Sequence, residues 1–499
     1  MKIIIKFSPE IIIKSRSVRV FFINVLVKNI KKVLKQYNTL ALLRVHWDNI
    51  EIQSECGSYL EISKILVNVP GIHSVLWVHD SIINSLEDIY NQVIRTKYYT
   101  QLLGKTFCVR VKRRGNHIVT SQDVERYIGS RLHESINDTS VNLVNPEVTI
   151  YLNIRDSFLF IVLERFKGLG GFPVGTQQES LSLISGGFDS TVASYMLIRR
   201  GCKVHYCFFN LIGNITHTIE VYKIISYLWN KFSGSHKVKL ISVDFSIVVK
   251  ELFMKIKNNY IGIILKRMMI RAASTLASHY KIKSLVTGES LGQVSSQTLD
   301  NLILINNVVS SSDCIVFRPL IVHDKESIIK LARQIGTEEL SRTIPEYCGL
   351  ISKRSCAKAK KKAIELEEGN FNFSILDKAI SQAHIINVNN ILQYIEDIRA
   401  IKIETQTELN SQDIIVDIRS EYEQQRNPIN IPLDIKIKKI PFYKLKDQFP
   451  KLDQNKIYLL YCDQGIMSRL QAIHLLQQGF HNVKVYRSNL LLVNTKINR

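Results

Sequence analysis

The stretch Leu181–Ser190, Leu-Ser-Leu-Ile-Ser-Gly-Gly-Phe-Asp-Ser, constrains the fold more than any other part of the chain. An apolar run ending at Leu183 and Ile184 reads as a buried strand. Ser185-Gly186-Gly187 reads as a turn, and Thr191–Arg200 as a helix that stops at Gly201. Strand, glycine loop and helix in that order make a cradle for an anion. The glycines let the backbone approach a bulky group, and the free N–H groups and dipole at the helix start attract negative charge. Ser185 and Ser190 add hydroxyl donors, and Asp189 can hold a divalent metal or orient a phosphate. The loop lacks the Gly-Lys-Ser/Thr of a Walker A motif.

Further strands at Val204–Phe209, Val238–Val243 and Ser284–Thr287 alternate with helices, which predicts a doubly wound parallel sheet with ligands at the carboxyl ends of its strands. Asn210, Gly288-Glu289, Gln293 and Gln297 fall at those ends. Lys266, on helix Ile261–His279, either reaches a nucleotide or snorkels to solvent. Lys325 stands near a helix start, where a cation opposes the dipole unless it faces a bound anion, and this favours a phosphate role. Cys348 precedes Gly349 in a loop followed by Lys353, Arg354, Lys358 and Lys360. It is either a buried cysteine of no special reactivity or a thiol activated by that positive field.

Upstream, Ile3–Lys6, Ser17–Leu34, Ala41–Val45 and Glu51–Ile52 read as a small α/β module. Strands Ile72–Val78 and Phe107–Arg114 flank a helix expected over Ile82–Thr96. Thr120 or Ser121 caps a further helix whose Val124, Tyr127, Ile128 and Leu132 share one face. Lys112, Arg113, Arg114, Arg126 and Arg131 make either a surface for RNA backbone phosphates or scattered surface charge. The glycine-rich Phe166–Thr176 reads as a flexible connection. The net charge of +22 points to a polyanionic partner, although lysine-rich stretches such as Val27–Lys35 are also what base-composition drift produces.

A chain of 499 residues exceeds one core, and no apolar run is long enough to span a membrane, so a soluble, cytoplasmic, multidomain protein is expected. The eight cysteines form no Cys-x-x-Cys pair, so neither a zinc site nor a disulfide framework is indicated. The last hundred residues restart as an α/β unit with strands Asp413–Arg419, Lys456–Tyr461 and Val483–Arg487. Cys462 lies between the second of these and a helix start: it is either a buried strand-end cysteine or, as converging N–H groups there favour, a thiolate or persulfide.

Ser185–Ser190 resembles the loop of the PP-loop pyrophosphatases, which adenylate a carbonyl oxygen. With Gly288–Thr298, Pro345–Gly349 and Cys462–Arg469 following in order, almost the whole chain resembles the tRNA 4-thiouridine synthetases, or tRNA sulfurtransferases. The resemblance implies an α/β multidomain fold: a ferredoxin-like domain at 1–62, a THUMP RNA-binding domain at 63–165, a PP-loop domain at 166–395 and a rhodanese-like domain at 396–499. It implies that a cysteine desulfurase loads sulfur on Cys462, that ATP, with Mg2+, adenylates uridine 8 of tRNA, and that Cys348 releases the product by forming a disulfide with Cys462. Leu183, Ile184, Ser185, Gly186, Gly187, Ser190, Lys266, Gly288 and Gln297 would then contact ATP, and Asp189 and Lys325 would serve adenylation. Sulfur supply to a thiazole-synthesis carrier protein and a homodimer are further implications. Asp463 and Gln464 depart from the basic residues common after a sulfurtransferase cysteine, and an adjacent carboxylate disfavours a thiolate. A tRNA-binding module without thiolation activity, a carrier serving thiazole synthesis only, and a 2-thiolating PP-loop enzyme are the competing readings.

Overall fold

The computed structural model describes residues 2–37, 41–54, 59–115, 119–211, 215–309, 313–344, 356–400, 403–419, 424, 427–429, 431–432, 435–462 and 466–487. The chain divides into two compact units. One comprises Met1–Gln178 with Met196–Lys203 and Trp229–His236; the other comprises Glu179–Tyr195, Val204–Leu228 and Lys237–Arg499.

The first unit is built on strands β1 (Lys2–Phe7), β2 (Ala41–Val45), β3 (Asn49–Ser54), β4 (Ile72–Ile82), β5 (Thr106–Arg114), β6 (Ser140–Val141), β7 (Val148–Arg155) and β8 (Phe158–Lys167). They form one sheet in the order β2-β3-β1-β4-β8-β7-β5-β6. Alternation along β1 sends Ile3, Ile5 and Phe7 under helix Arg16–Gln36, whose Phe22, Leu26 and Ile30 recur at helical spacing. Ile4 points to the opposite face, where it packs with Leu76, Val78, Phe160 and Val162. The sheet curls over this second cluster. Asp48, in the β2–β3 turn, lies 3.6 Å from Lys6 on β1, 3.3 Å from Arg114 on β5 and 3.8 Å from Arg155 on β7.

Two sequence expectations are corrected in this unit. The helix expected over Ile82–Thr96 spans Leu86–Ile94, because β4 runs on to Ile82 and Ser85 with Asp88 forms a capping box that sets the helix start. The glycine-rich connection is tied down rather than flexible: Gly168 N donates to His73 O at 2.8 Å and Phe172 N to Arg199 O at 3.0 Å. A Cβ on Gly171, at φ +71°, would lie 2.0 Å from Arg199 O. Of the two candidate caps, Thr120 is the one that closes helix Ser121–Ser135, with Asp123 returning the bond.

In the second unit, β9 (Ser180–Leu183), β10 (Val204–Asn210), β11 (Lys239–Asp244), β12 (Ser284–Val286), β13 (Ile315–Phe317) and β14 (His384–Asn387) form a sheet in the order β13-β12-β9-β10-β11-β14. All pairs are parallel except β11 with β14. The apolar strand runs bury both faces, as a sheet covered by helices requires. The chain moves outward from β9 through β10 to β11, then returns to place β12 on the other side of β9. The carboxyl end of β9 is therefore a topological switch point.

The remaining strands, β15 (Thr405–Gln406), β16 (Ile414–Asp417), β17 (Lys436–Lys439), β18 (Tyr458–Tyr461) and β19 (Val483–Tyr486), form a parallel sheet in the order β15-β19-β18-β16-β17. Among the described residues, no helix is long and apolar enough to cross a membrane.

Candidate functional site

At the end of β9 the chain turns through Gly186, at φ +82°, into helix Phe188–Arg199. The turn has no room for a side chain: a Cβ on Gly186 would lie 2.5 Å from Ile344 Cδ1 and 2.9 Å from Val221 Cγ2. Ser185 N donates to Ser190 Oγ at 3.1 Å, and the two hydroxyls are 3.1 Å apart, so the loop closes on itself. Gly288, just after β12, backs onto the loop so tightly that a Cβ there would meet Asp189 C at 2.5 Å and Ser190 N at 2.6 Å. These elements enclose a cavity of about 230 Å³. Leu183, Ile184, Ser185, Gly187, Asp189, Ser190, Lys266, Gly288 and Gln297 line it. Gly186 shapes the turn without lining the cavity.

Charge is arranged around this cavity in two groups. Lys325 Nζ donates to Asp189 Oδ1 at 2.8 Å, and Gln293 Nε2 donates to Asp189 Oδ2 at 2.9 Å. The anion that Lys325 was expected to face at its helix start is thus the Asp189 carboxylate, and Asp324 supplies the cap that the lysine cannot. On the other wall, buried Glu289 accepts from Lys266 at 3.1 Å, Arg318 at 2.8 Å and Thr287 at 3.2 Å. Burial pushes the Glu289 carboxyl up, but Lys266 and Arg318 outweigh it and hold the group below its ordinary range. Buried His217 shares 3.1 Å with the Ser185 carbonyl, and burial lowers its pKa against that hydrogen bond. The sequence placed Glu289 and Gln293 at the strand ends and gave no signal that they pair with Lys266 or Asp189, nor that Arg318 joins Glu289. His217 carried no local signal at all.

Cys462 directly follows β18 and is buried. Ser468 N, in the first turn of helix Ile466–Gln477, donates to its Sγ at 3.2 Å, and Ser468 Oγ lies 3.5 Å away. A backbone N–H at a helix start is the partner that a negatively charged sulfur needs. Arg469 is exposed. Arg419, buried behind β16, forms a bidentate pair with Asp417 at 2.8 and 2.9 Å and stacks on Tyr461. Cys348, Asp463 and Gln464 lie outside the described residues, and with Cys348 lies the expected disulfide to Cys462. Cys207, by contrast, sits in the sheet core, where burial pushes its thiol pKa up and away from reactivity.

The five basic residues expected to bind RNA do not share one surface, because alternation along β5 divides them. Lys112 and Arg114 point away from helix Ser121–Ser135, whereas Arg113 turns toward it and donates to the Val119 carbonyl and to Ser121 Oγ. Arg126 is exposed on that helix. Arg131, on the same helix, is paired with Glu87 at 3.1 Å and lies over the Tyr90 ring.

Family models match the chain in four stretches: a ThiI ferredoxin-like domain at 2–75, a THUMP domain at 84–164, a thiamine biosynthesis protein (ThiI) model at 175–373 and a rhodanese-like domain at 402–489. A protein of Blochmanniella pennsylvanica named tRNA sulfurtransferase is 58% identical over 488 residues, 98% of this chain and 99% of that protein. An Escherichia coli protein of the same name is 53% identical over 489 residues, 98% of this chain and 100% of that one. The crystal structure of a 4-thiouridine synthetase–RNA complex with bound ATP matches with a TM-score of 0.67 at 24% identity, across 78% of this chain and 99% of that one. The two share a fold.

Proposed function

The chain belongs to the tRNA sulfurtransferase family of enzymes, and on that premise we propose that it makes 4-thiouridine at position 8 of tRNA by ATP-dependent sulfur transfer. The observation that carries the reading is the cavity at the β9 switch point, where an anion cradle, a lysine and a clamped carboxylate meet. The domain division 1–62, 63–165, 166–395 and 396–499 is part of the proposal, with RNA capture assigned to the first two.

A carbonyl oxygen is a poor leaving group, and ATP supplies a good one, since an adenylated uridine O4 departs as AMP. Ser185, Ser190, the loop amides and the start of helix Phe188–Arg199 suit the phosphates, with Lys266 opposite them. Glu289 and Arg318 hold Lys266 in place. Gln297 fits the rest of the nucleotide, because its buried Oε1 has no donor among the described residues. Asp189 is the residue that would hold Mg2+, together with the nucleotide phosphates. With Glu289 taken up by Lys266 and Arg318, and no cluster of three His, Cys, Asp or Glu among the described residues, Asp189 fits a metal that arrives with its nucleotide.

The sulfur reaches Cys462 from a cysteine desulfurase and is held there as a persulfide. Its terminal sulfur attacks C4 of the uridine and AMP leaves, which joins the base to Cys462 through a disulfide. The Cys348 thiolate then attacks the Cys462 sulfur. The 4-thiouridine is freed, and a Cys348–Cys462 disulfide is left for a thiol reductant to reopen. The same persulfide is the proposed donor to a thiazole-synthesis sulfur carrier protein.

The test is thiolation of unmodified tRNA by the purified protein with ATP, Mg2+, cysteine and a desulfurase, read by mass spectrometry of the nucleosides. We expect 4-thiouridine that depends on ATP. A protein that binds tRNA and ATP yet leaves uridine 8 unchanged overturns the reading in favour of a binding module.

A further inference from the structure

Outside the nucleotide cavity, the segment Lys358–Lys362 carries lysine at four of five positions, and Lys358, Lys360, Lys361 and Lys362 are all exposed. The backbone leading to them is fastened to the cavity wall. Thr298 Oγ1 donates to the Ala357 carbonyl at 2.7 Å, and Asn301 Nδ2 donates to the Cys356 carbonyl at 2.8 Å. Asn301 Oδ1 accepts from Ala359 N at 3.2 Å, while its Nδ2 also reaches the Ser295 carbonyl at 2.8 Å. Ser296 and Gln297, between these anchors, line the cavity. The lysines are therefore held at a fixed place beside the cavity's rim.

Their arrangement suits a phosphate strand. Ala359 is buried while Lys358 and Lys360, its neighbours in the chain, are both exposed, so the buried alanine seats the segment and leaves the two ammonium groups to solvent. Lys361 and Lys362 then open helix Lys361–Glu368, whose first turn has no acidic residue. Among the described residues the four have one ion pair, Lys361 with Glu365 at 3.8 Å, and both partners are more than half exposed. Past Lys361 a polar cavity of about 340 Å³ leads to Arg271, which is paired with Glu368 at 3.0 Å and has a buried Nε without a partner. None of the four lysines lines the nucleotide cavity, so ATP does not account for them.

We infer that this lysine track binds RNA phosphodiesters and guides the tRNA backbone past the mouth of the cavity that receives the target base. The inference rests on the thiolation proposed above. For a uridine to enter the cavity, the phosphates flanking it must run along the rim. Point cations on flexible stems suit such sequence-independent contacts.

The experiment compares the full-length wild type with the Lys358→Ala/Lys360→Ala/Lys362→Ala variant, measuring tRNA affinity across a salt series and steady-state thiolation. Each phosphate contact contributes about 0.7–0.9 to the slope of log affinity against log salt, so we expect the slope to shrink by roughly two. We also expect kcat/KM for tRNA to fall about tenfold or more, an unchanged KM for ATP and an undiminished melting temperature. An unchanged slope overturns the inference whether or not the wild type thiolates, since the slope is read on binding. A wild type that never thiolates instead overturns the function on which the inference rests. An unchanged slope with impaired sulfur loading by the desulfurase would assign the lysines to an acidic protein surface, and that also overturns it.

Discussion

The Lys325 ammonium lies 2.8 Å from the Asp189 carboxylate although 136 residues separate them in the chain. Two helix starts are thereby locked together at the end of β9, one opening at Phe188 and the other at Lys325. Asp189→Asn keeps the shape and removes the charge, and Lys325→Met removes the partner. Either is expected to lower the single-turnover thiolation rate by about 100-fold or more, the usual scale for a group that stabilises developing charge. Quench-flow with saturating tRNA and ATP checks this, and an unchanged rate in both variants removes the pair from the chemistry.

Gly288 should tolerate no side chain. Alanine there would push against the backbone of Asp189 and Ser190 at 2.5 and 2.6 Å, atoms that cannot swing aside. We expect Gly288→Ala to cost about 1–3 kcal/mol by urea denaturation. ATP should also stop raising its melting temperature, because the loop it displaces is the phosphate cradle.

Glu289→Gln would leave Lys266 and Arg318 as two partly buried cations facing a neutral amide. Breaking a buried pair by removing one partner typically costs about 3–5 kcal/mol, and we expect the lower end because Thr287 can still donate to the amide oxygen. KM for ATP should rise together with the loss of stability. A variant as stable as wild type, with unaltered KM, would mean that the Glu289 charge is dispensable.

Acidification should act through His217. Burial holds its folded pKa below the ordinary imidazole value of about 6.5, so the unfolded chain binds the extra proton first. The stability owed to neutral His217 is complete above that value and declines as pH falls from about 6.5 toward the lower folded pKa. Melting temperatures from pH 8 to 5 should show this decline, and His217→Gln should flatten it. A steeper decline in the variant would place the responsible proton elsewhere.

The two cysteines of the proposed sulfur relay should fail differently. Cys462→Ala is expected to form no 4-thiouridine in any turnover. Cys348→Ala should stop with RNA attached to the protein through Cys462, in a link that dithiothreitol cleaves. Denaturing gels with and without reductant distinguish the two, and full multiple turnover by Cys462→Ala would assign the sulfur to another thiol.

What could be read from the chain alone was local in sequence. The strand, glycine turn and helix at Leu181–Ser190 declared themselves because apolar run, small residues and helical spacing adjoin. The helix after Thr120 did so too, although the sequence does not decide between Thr120 and Ser121 as its cap and the bond with Asp123 does. Lys325 advertised an anion by opposing its own helix dipole, but which anion depended on tertiary contacts. The Glu289 pairs with Lys266 and Arg318 and the contact of His217 with Ser185 join residues 23 or more positions apart, which no periodicity encodes. Which of Lys112, Arg113, Arg114, Arg126 and Arg131 share a face could not be read from charge without alternation, since Arg113 and Arg114 must face opposite ways.

Strand β4 is hydrogen-bonded on both sides, to β1 from Ile72 to Val78 and to β8 from Ser74 to Ile82. Anyone dissecting this protein at residue 62 would leave one fragment in which the edge of β4 from Ile72 to Val78 is stripped of its neighbour. The other fragment would have β1 open to any passing strand. Such edges are templates for aggregation. The proposed RNA capture is therefore best studied on a piece that keeps residues 1–178 joined, because the two halves of that sheet cover each other's edges.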